Sequence, residues 1–331
     1  MKMNWKGKQV LVTGAGGFIA SHLVERLVQE GARVRAFVRY NSRNDVGALR
    51  LIPADVFSQL EIIQGDLRDM EAVRSATHEV DTIFHLGALI AIPYSYIHPR
   101  EVIETNVMGT LNVLTAAREC NVRRMVHTST SEVYGTAQYT PIDEMHRLQG
   151  QSPYSASKIG ADKIAESFYR SFDVPVVTLR PFNTYGPRQS ARAVIPTIIT
   201  QALTQKEIKL GNLEPSRDFT FVTDTADGFL RVGEAENVSG QDINLGNDTT
   251  IRIGDLVKKI FAMIGKEPRI IPDLQRIRPS KSEVMKLWAS NKKAKELLGW
   301  EPRVTLDDGL RLTIDWISAH LDSYRPDQYT V

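Results

Sequence analysis

The chain has 331 residues, 42% hydrophobic and 24% charged, the balance of a globular protein with one large or two modest domains. Its 41 basic and 39 acidic residues leave a net charge of +2 with no basic run, which argues against a nucleic-acid partner. The start, MKMNWKGKQVLVTG, has no unbroken apolar stretch before its first strand, and no segment is long enough to cross a bilayer, so a cytoplasmic protein without membrane contact is expected.

From residue 8 to about 180, short apolar runs alternate with helical segments. KQVLVTG, ARVRAFV, LEIIQGD, DTIFHLG, RRMVHTS and VPVVTLR are nearly continuous in apolar residues, as in strands buried on both faces of a parallel sheet. Between them, SHLVERLVQEG and PREVIETNVMGTLNVLTAAREC space their apolar residues helically. Repeated units of this kind predict an α/β fold, a doubly wound, Rossmann-like parallel sheet with right-handed crossovers. Beyond residue 180 the pattern loosens into helical pieces, short strands and Pro/Gly breaks. The division predicted is a dinucleotide-binding domain over 1–180 and a smaller C-terminal α/β substrate-binding region over 181–331, with some exchange of chain between them. The single cysteine, Cys120, rules out an internal disulfide, and the seven histidines show no metal-ligand spacing, so no metal is expected.

The first strand runs into TGAGGFIASHLVERL, where Gly14, Gly17 and Ala20 fall at G-x-x-G-x-x-A spacing. Such a turn lets backbone approach a pyrophosphate, and the following helix offers its N-terminal N–H groups. The tighter G-x-G-x-x-G/A pattern is not met, because Ile19 stands at its last small position. The second strand bears on the nucleotide. An acid near its end would bind a ribose diol, but Val38 stands there, followed by Arg39 and Arg43. Two guanidiniums suit a 2′-phosphate, so NADP is favoured and NAD kept open. Asp66, ending the third strand, is placed to bond the adenine amino group.

Further on, PYSASKIGADKIAESF sets Tyr154 and Lys158 four apart, on one helical face. A phenol with a pKa near 10 needs positive charge beside it to act as a base, and a lysine ammonium supplies it. Tyr154 could then take a hydroxyl proton while hydride leaves the same carbon. Thr130 closes the fifth strand, 24 positions before Tyr154.

With TGAGGFIA, GDLRD, HLGA, ETNVMGTLNVL, STSEVYG, YSASK, LRPFNTYGPRQ, RDFTFVTD and RIRPSKSE in hand, the chain resembles the extended short-chain dehydrogenase/reductase family of NAD(P)-dependent nucleotide-sugar epimerases and dehydratases. The resemblance covers nearly the whole chain. It implies Thr130, Tyr154 and Lys158 as a catalytic triad. It also implies cofactor contacts at Phe18, Ile19, Leu67, Leu86 and Ala88 within the quoted motifs, and Asn183, Arg217 and Arg278 as holders of the sugar nucleotide, Arg278 at its diphosphate. Tyr94, in AIPYSYIHP, is a further candidate for lining the sugar site. Glu132 resembles the base that removes the C5 proton in a 4,6-dehydratase, and Ser131 takes the neighbouring acid position. A Ser–Glu pair also occurs in UDP-glucuronate decarboxylases. The closest resemblance in these motifs is to the 4,6-dehydratases of nonulosonate (legionaminic acid-type) pathways, which implies UDP- or GDP-N-acetylglucosamine as substrate. A UDP-glucuronate decarboxylase, a 4-epimerase and an NADP-sensing binding protein remain the alternatives. The segments near 99–119 and 153–172 carry apolar residues over more of their circumference than one core contact requires, and by resemblance two such helices per subunit form a homodimer.

Overall fold

The structure, a computed structural model of the chain, describes residues 4–324. Six strands come from the first 181 residues: β1 (Gln9–Thr13), β2 (Arg33–Arg39), β3 (Glu61–Gly65), β4 (Thr82–His85), β5 (Arg124–Thr128) and β6 (Val176–Pro181). A seventh, Asp242–Leu245, comes from the second half and pairs in parallel with β6, Ile243 opposite Leu179. The spatial order is Asp242–Leu245, β6, β5, β4, β1, β2, β3, every pair parallel.

Side-chain alternation along the strands builds the two covering layers. Val10, Val12, Phe84 and Val126 face one core, with Trp5, Leu23, Phe229 and Trp300. Their neighbours Leu11, Ile83 and Met125 face the other, with Phe37, Val113, Ala165 and Val176. Both faces are buried, so the strands read as unbroken apolar runs.

The predicted boundary at 180 falls at the end of β6, yet the chain re-enters the sheet afterwards. Helix Val222–Glu234 packs on helix Phe18–Gln29, and the Asp242–Leu245 strand closes the sheet's edge. The remainder builds a separate apolar core around Ile195, Ile198, Phe219, Phe221, Leu256, Ile260 and Leu310. Three two-stranded sheets belong to this part, pairing Asn183–Tyr185 with Phe219–Phe221, Ser216–Arg217 with Ile251–Arg252, and Glu207–Leu210 with Arg269–Pro272.

The segment read as a single helix over 99–119 is divided. Helices Pro99–Ile103 and Gly109–Glu119 flank a π-helical turn, Glu104–Met108. Such wide turns redirect a side chain out of the helical register. Here Asn106 is turned into the interior, where it is 1% exposed.

Strand order reverses between β1 and β4, with β2 and β3 running to one side and β5 and β6 to the other. The loops leaving those two strands diverge there and open a crevice at the carboxyl ends of the sheet, the place where this architecture takes its ligands.

Candidate active site

The crevice holds a cavity of about 840 Å³. Its floor is the turn after β1, with Gly14, Gly16, Gly17, Phe18 and Ile19 on the lining. Gly14 has φ +66°, and a Cβ there would lie 2.6 Å from the Cα of Gly87 in the loop after β4. Only glycine lets the two loops meet this closely. Helix Phe18–Gln29 starts at Gly17 with no side-chain cap and no acid in its first turn. Its free N–H groups and positive dipole end therefore face the cavity, a fit for a pyrophosphate.

Val38, Arg39, Asn41, Arg43 and Asp45 form one end of the cavity. Arg39 is largely exposed and lies 3.4 Å from Glu101. Asp45 pairs with Arg50 at 2.6 Å. Two carboxylates thus stand near the two arginines expected at a 2′-phosphate. Asp66 lines an adjoining slot of about 130 Å³ with Phe37, Gly65, Leu67, Ala88 and Leu89. The Arg68 guanidinium, bonded to Asp66 at 2.7 and 3.0 Å, holds that carboxyl below the usual carboxylate range. Leu86 and Ala88 line the large cavity.

At its other end the cavity is lined by Thr128, Ser129, Thr130, Ser131, Glu132 and Tyr154. Thr130 leaves β5 in extended conformation, and its Oγ1 accepts the Glu132 N–H at 3.2 Å, starting the single 3₁₀ turn Ser131–Tyr134. That cap turns Ser131 and Glu132 towards the cavity directly beside Thr130. Helix Pro153–Phe172 is started by Ser152 in a capping box with Ser155 and by Pro153 at its first position, which fixes where its first turn stands. Tyr154 and Lys158 follow on one face, 7% and 3% exposed. Burial pushes the Tyr154 phenol above its ordinary value, a hydrogen bond with Thr130 works the other way, and the charges of Glu132 and Asp162 add to the rise. Burial lowers Lys158 to about 8, against the pull of Asp162.

A second cavity, of about 390 Å³, adjoins the first, and Asn183, Thr184, Gln189 and Ala193 line both. Arg217 and Arg278 line the second. Arg217 is buried, which lowers its pKa, and it faces Glu283 at 3.7 Å. Arg278 Nη1 lies 3.5 Å from Glu132 Oε1 and has no hydrogen-bond partner among the described residues. The buried Oδ1 of Asn183 likewise has none. Tyr94 departs from its expected place: its hydroxyl donates to Glu101 at 2.5 Å, beside Arg39, and it lines neither cavity. Tyr96, two residues on, lines the second cavity together with Pro93, with its hydroxyl 2.6 Å from Ser282 Oγ.

The model of the family described as GDP-mannose 4,6 dehydratase matches residues 11–313, spanning both cavities and the helix that carries Tyr154. The chain belongs to this family. Its members are nucleotide-sugar 4,6-dehydratases, decarboxylases and epimerases that use a nicotinamide cofactor. The chain is 30% identical over 326 residues to a trifunctional UDP-glucose 4,6-dehydratase/3,5-epimerase/reductase of Arabidopsis thaliana, covering 96% of this chain but 48% of that protein. It thus spans about half the length of these plant relatives. UDP-glucuronic acid decarboxylase 2 of the same plant is 34% identical over 93% of this chain and 68% of its own length. The structure of dTDP-glucose 4,6-dehydratase from Streptomyces venezuelae, with NAD bound, superposes with a TM-score of 0.85 at 27% identity, over 96% of this chain and 99% of that one.

Several polar residues that hold this family's site together here were not singled out from sequence. The Asn106 side chain accepts the Leu89 N–H at 2.8 Å and donates to Leu89 O and Ser157 Oγ, both at 2.9 Å, tying the loop after β4 to the Tyr154 helix. Ser129, Asp162 and Arg180 form a buried cluster behind Lys158. The cue was present, since a carboxylate one turn beyond Lys158 on the same face has no reason to be there unless it meets a partner inside.

Proposed function

We propose that the protein is a nucleotide-sugar 4,6-dehydratase acting on UDP- or GDP-linked N-acetylglucosamine. Residues 1–180 would chiefly hold the cofactor and 181–331 the sugar nucleotide. The observation that carries the reading is Glu132, delivered by the Thr130-capped turn to the same cavity wall as Tyr154, where a simple C4 oxidation would need no second acid or base. Tyr154, oriented by Thr130 and charged-balanced by Lys158, takes the proton of the C4 hydroxyl. A bound nicotinamide would accept the C4 hydride, give it back at C6, and lend a positive ring that favours the phenolate. With C4 a ketone, the C5 hydrogen is acidic, and Glu132 removes it. The C6 hydroxyl then departs as water, taking a proton through the Ser131 hydroxyl from Glu132, which carries the one removed from C5. Reduction at C6 and protonation at C5 complete a 4-keto-6-deoxy sugar. Asn183, Arg217 and Arg278, around the second cavity, suit the sugar and its diphosphate, for which arginine is a bidentate ligand.

One observation favours a second reading. The Arg278 guanidinium beside Glu132 is a cation of the kind that would hold a substrate carboxylate, as a UDP-glucuronate decarboxylase requires. Incubation with UDP- and GDP-N-acetylglucosamine and with UDP-glucuronate, followed by mass spectrometry, separates the two. Loss of one water from an N-acetylglucosamine nucleotide supports the dehydratase, whereas loss of CO₂ from UDP-glucuronate with the others untouched overturns it.

Arg39 and Arg43 support NADP as the cofactor, while Glu101 and Asp45 compete for their charge. Arg39→Ala is expected to weaken NADP binding about tenfold with little change for NAD, the loss of one charge-assisted phosphate contact. Titration of cofactor-stripped protein with both dinucleotides reads this directly. Equal binding of the two, unchanged by the substitution, removes the NADP preference.

A homodimer is supported by the outer faces of the 99–119 and 153–172 segments, where Ile103, Met108, Tyr169 and Phe172 stand exposed. Light scattering at micromolar protein is expected to give twice the 37.1 kDa chain mass, and a monomer mass rejects it. No helix among the described residues is long and apolar enough to cross a membrane, and with one half-buried cysteine a cytoplasmic setting is the natural one.

A further inference from the structure

Behind the Tyr154–Lys158 face lies a carboxylate almost cut off from solvent. Asp162 is one helical turn beyond Lys158 and 2% exposed. Its Oδ1 accepts from His127 Nε2 at 3.1 Å, and its Oδ2 from Ser129 Oγ at 2.8 Å and from Arg180 Nη2 and Nε at 3.1 and 3.3 Å. All three partners are buried and come from the ends of β5 and β6. Ser129 is the residue before Thr130. One side chain therefore joins the helix carrying Tyr154 and Lys158 to the strand end carrying Thr130.

We propose that Asp162 is a positioning residue for the C4 oxidation: it locks the Tyr154 helix against the Thr130 strand end and sets a buried negative charge one helical turn from Lys158. This goes beyond the proposed function and rests on it only for the roles of Tyr154, Lys158 and Thr130.

The charges around Asp162 can be followed element by element. Lys158 and Tyr154 share its helix. His127 faces it from β5, with His85 of β4 stacked on His127 at 5.9 Å. Burial lowers the pKa of both imidazoles, so both are neutral at pH 7 and His127 donates its Nε2 proton to the carboxylate. Arg180 faces Asp162 from β6, and its Nη2 also reaches Asp242 at 2.8 Å on the outer side. Glu132, across the cavity wall, acts on Tyr154. The cluster thus holds two cations, Lys158 and Arg180, against Asp162 and the half-exposed Asp242. Asp162 is the anion that opposes the burial of Lys158. Its own ionisation is opposed by burial, but the His127 bond and the Arg180 charge outweigh that and keep it below the ordinary carboxylate value.

The sign of the effect follows. Lys158 must be charged to favour the Tyr154 phenolate, so activity falls as pH rises through the Lys158 pKa. Removing the Asp162 charge lowers that pKa and, by lifting a repulsion, the Tyr154 pKa too. Asp162→Asn is therefore expected to move the alkaline limb of the kcat profile about one pH unit towards acid, the usual size for a close opposite charge. Asp162→Glu, which restores the charge, should return the limb towards its original place. Ser129→Ala loosens the carboxylate without discharging it and should lower kcat about tenfold with the limb unmoved. Thermal melting and dinucleotide binding, measured alongside, report folding separately. If Asp162→Asn melts and binds like the parent and its alkaline limb stays put, the counter-charge role is wrong. If Asp162→Asn does not fold, Asp162→Glu and Ser129→Ala decide: a limb displaced by either, with charge retained, overturns the proposal, as does an unaltered kcat in Ser129→Ala. The assay uses whichever sugar nucleotide the protein turns over. The test concerns only C4 oxidation, so it stands apart from whether water, CO₂ or an inverted hydroxyl results.

Discussion

Replacing Tyr154 with Phe is expected to lower turnover of any accepted sugar nucleotide by about 10³- to 10⁴-fold, the upper range for a positioned general base. The upper range applies because the phenol is largely buried, which limits the access of solvent to its place in the proton transfer. The lost group is one hydroxyl, and the ring still fills its place against the cavity wall. Melting temperature and dinucleotide affinity should therefore remain near those of the parent. The proton must leave the C4 hydroxyl before any later step, so C4 oxidation, C5 exchange with solvent and loss of water should all fail together. Rapid-mixing spectroscopy for reduced cofactor, deuterium incorporation and product analysis give three readings of one defect. Loss of water that survives the substitution at more than a few per cent would remove Tyr154 from its assigned role.

The second large effect divides the reaction where the first stops all of it. Glu132→Gln preserves the shape of the side chain, and the Thr130 cap on the residue 132 N–H is untouched, since it is a backbone bond. What is lost is the base. Dehydration is expected to fall about 10²- to 10⁴-fold, roughly 3–5 kcal/mol of barrier. C4 oxidation should continue, so substrate should still produce absorbance from reduced, enzyme-bound cofactor. Exchange of the C5 hydrogen with solvent deuterium should cease. Near-normal loss of water, or persisting C5 exchange, would falsify the assignment of Glu132 as the C5 base and take away the observation that carries the dehydratase reading.

Much of the architecture can be read from local pattern alone. The six apolar runs become β1 to β6, because a strand buried on both faces must be apolar at successive positions. The turn after β1 is legible because backbone crowding at Gly14 admits no side chain. Tyr154 and Lys158 are legible as a pair because the helix repeat alone brings residues four apart to one face. Thr130, Ser131 and Glu132 are legible as neighbours at a strand end for the same local reason. What sequence could not settle depends on which segments meet at the carboxyl ends of the sheet. The motif around Tyr94 suggests the sugar site, but its hydroxyl is taken by Glu101, and the break at the π-helical turn sends Asn106 rather than a helix-face residue inwards. The strand Asp242–Leu245 returns to the sheet from the second half, and with it Asp242 meets Arg180. Arg278 comes within reach of Glu132, and Asp162 within reach of His127, Ser129 and Arg180, only when distant segments pack. Periodicity is fixed by the backbone geometry of a few adjacent residues, so the sequence determined the elements and the local pairs. The partners of buried charges are fixed by burial itself, which forces each ionised group to find an opposite charge or a hydrogen bond wherever the fold supplies one, and that choice belonged to the tertiary structure.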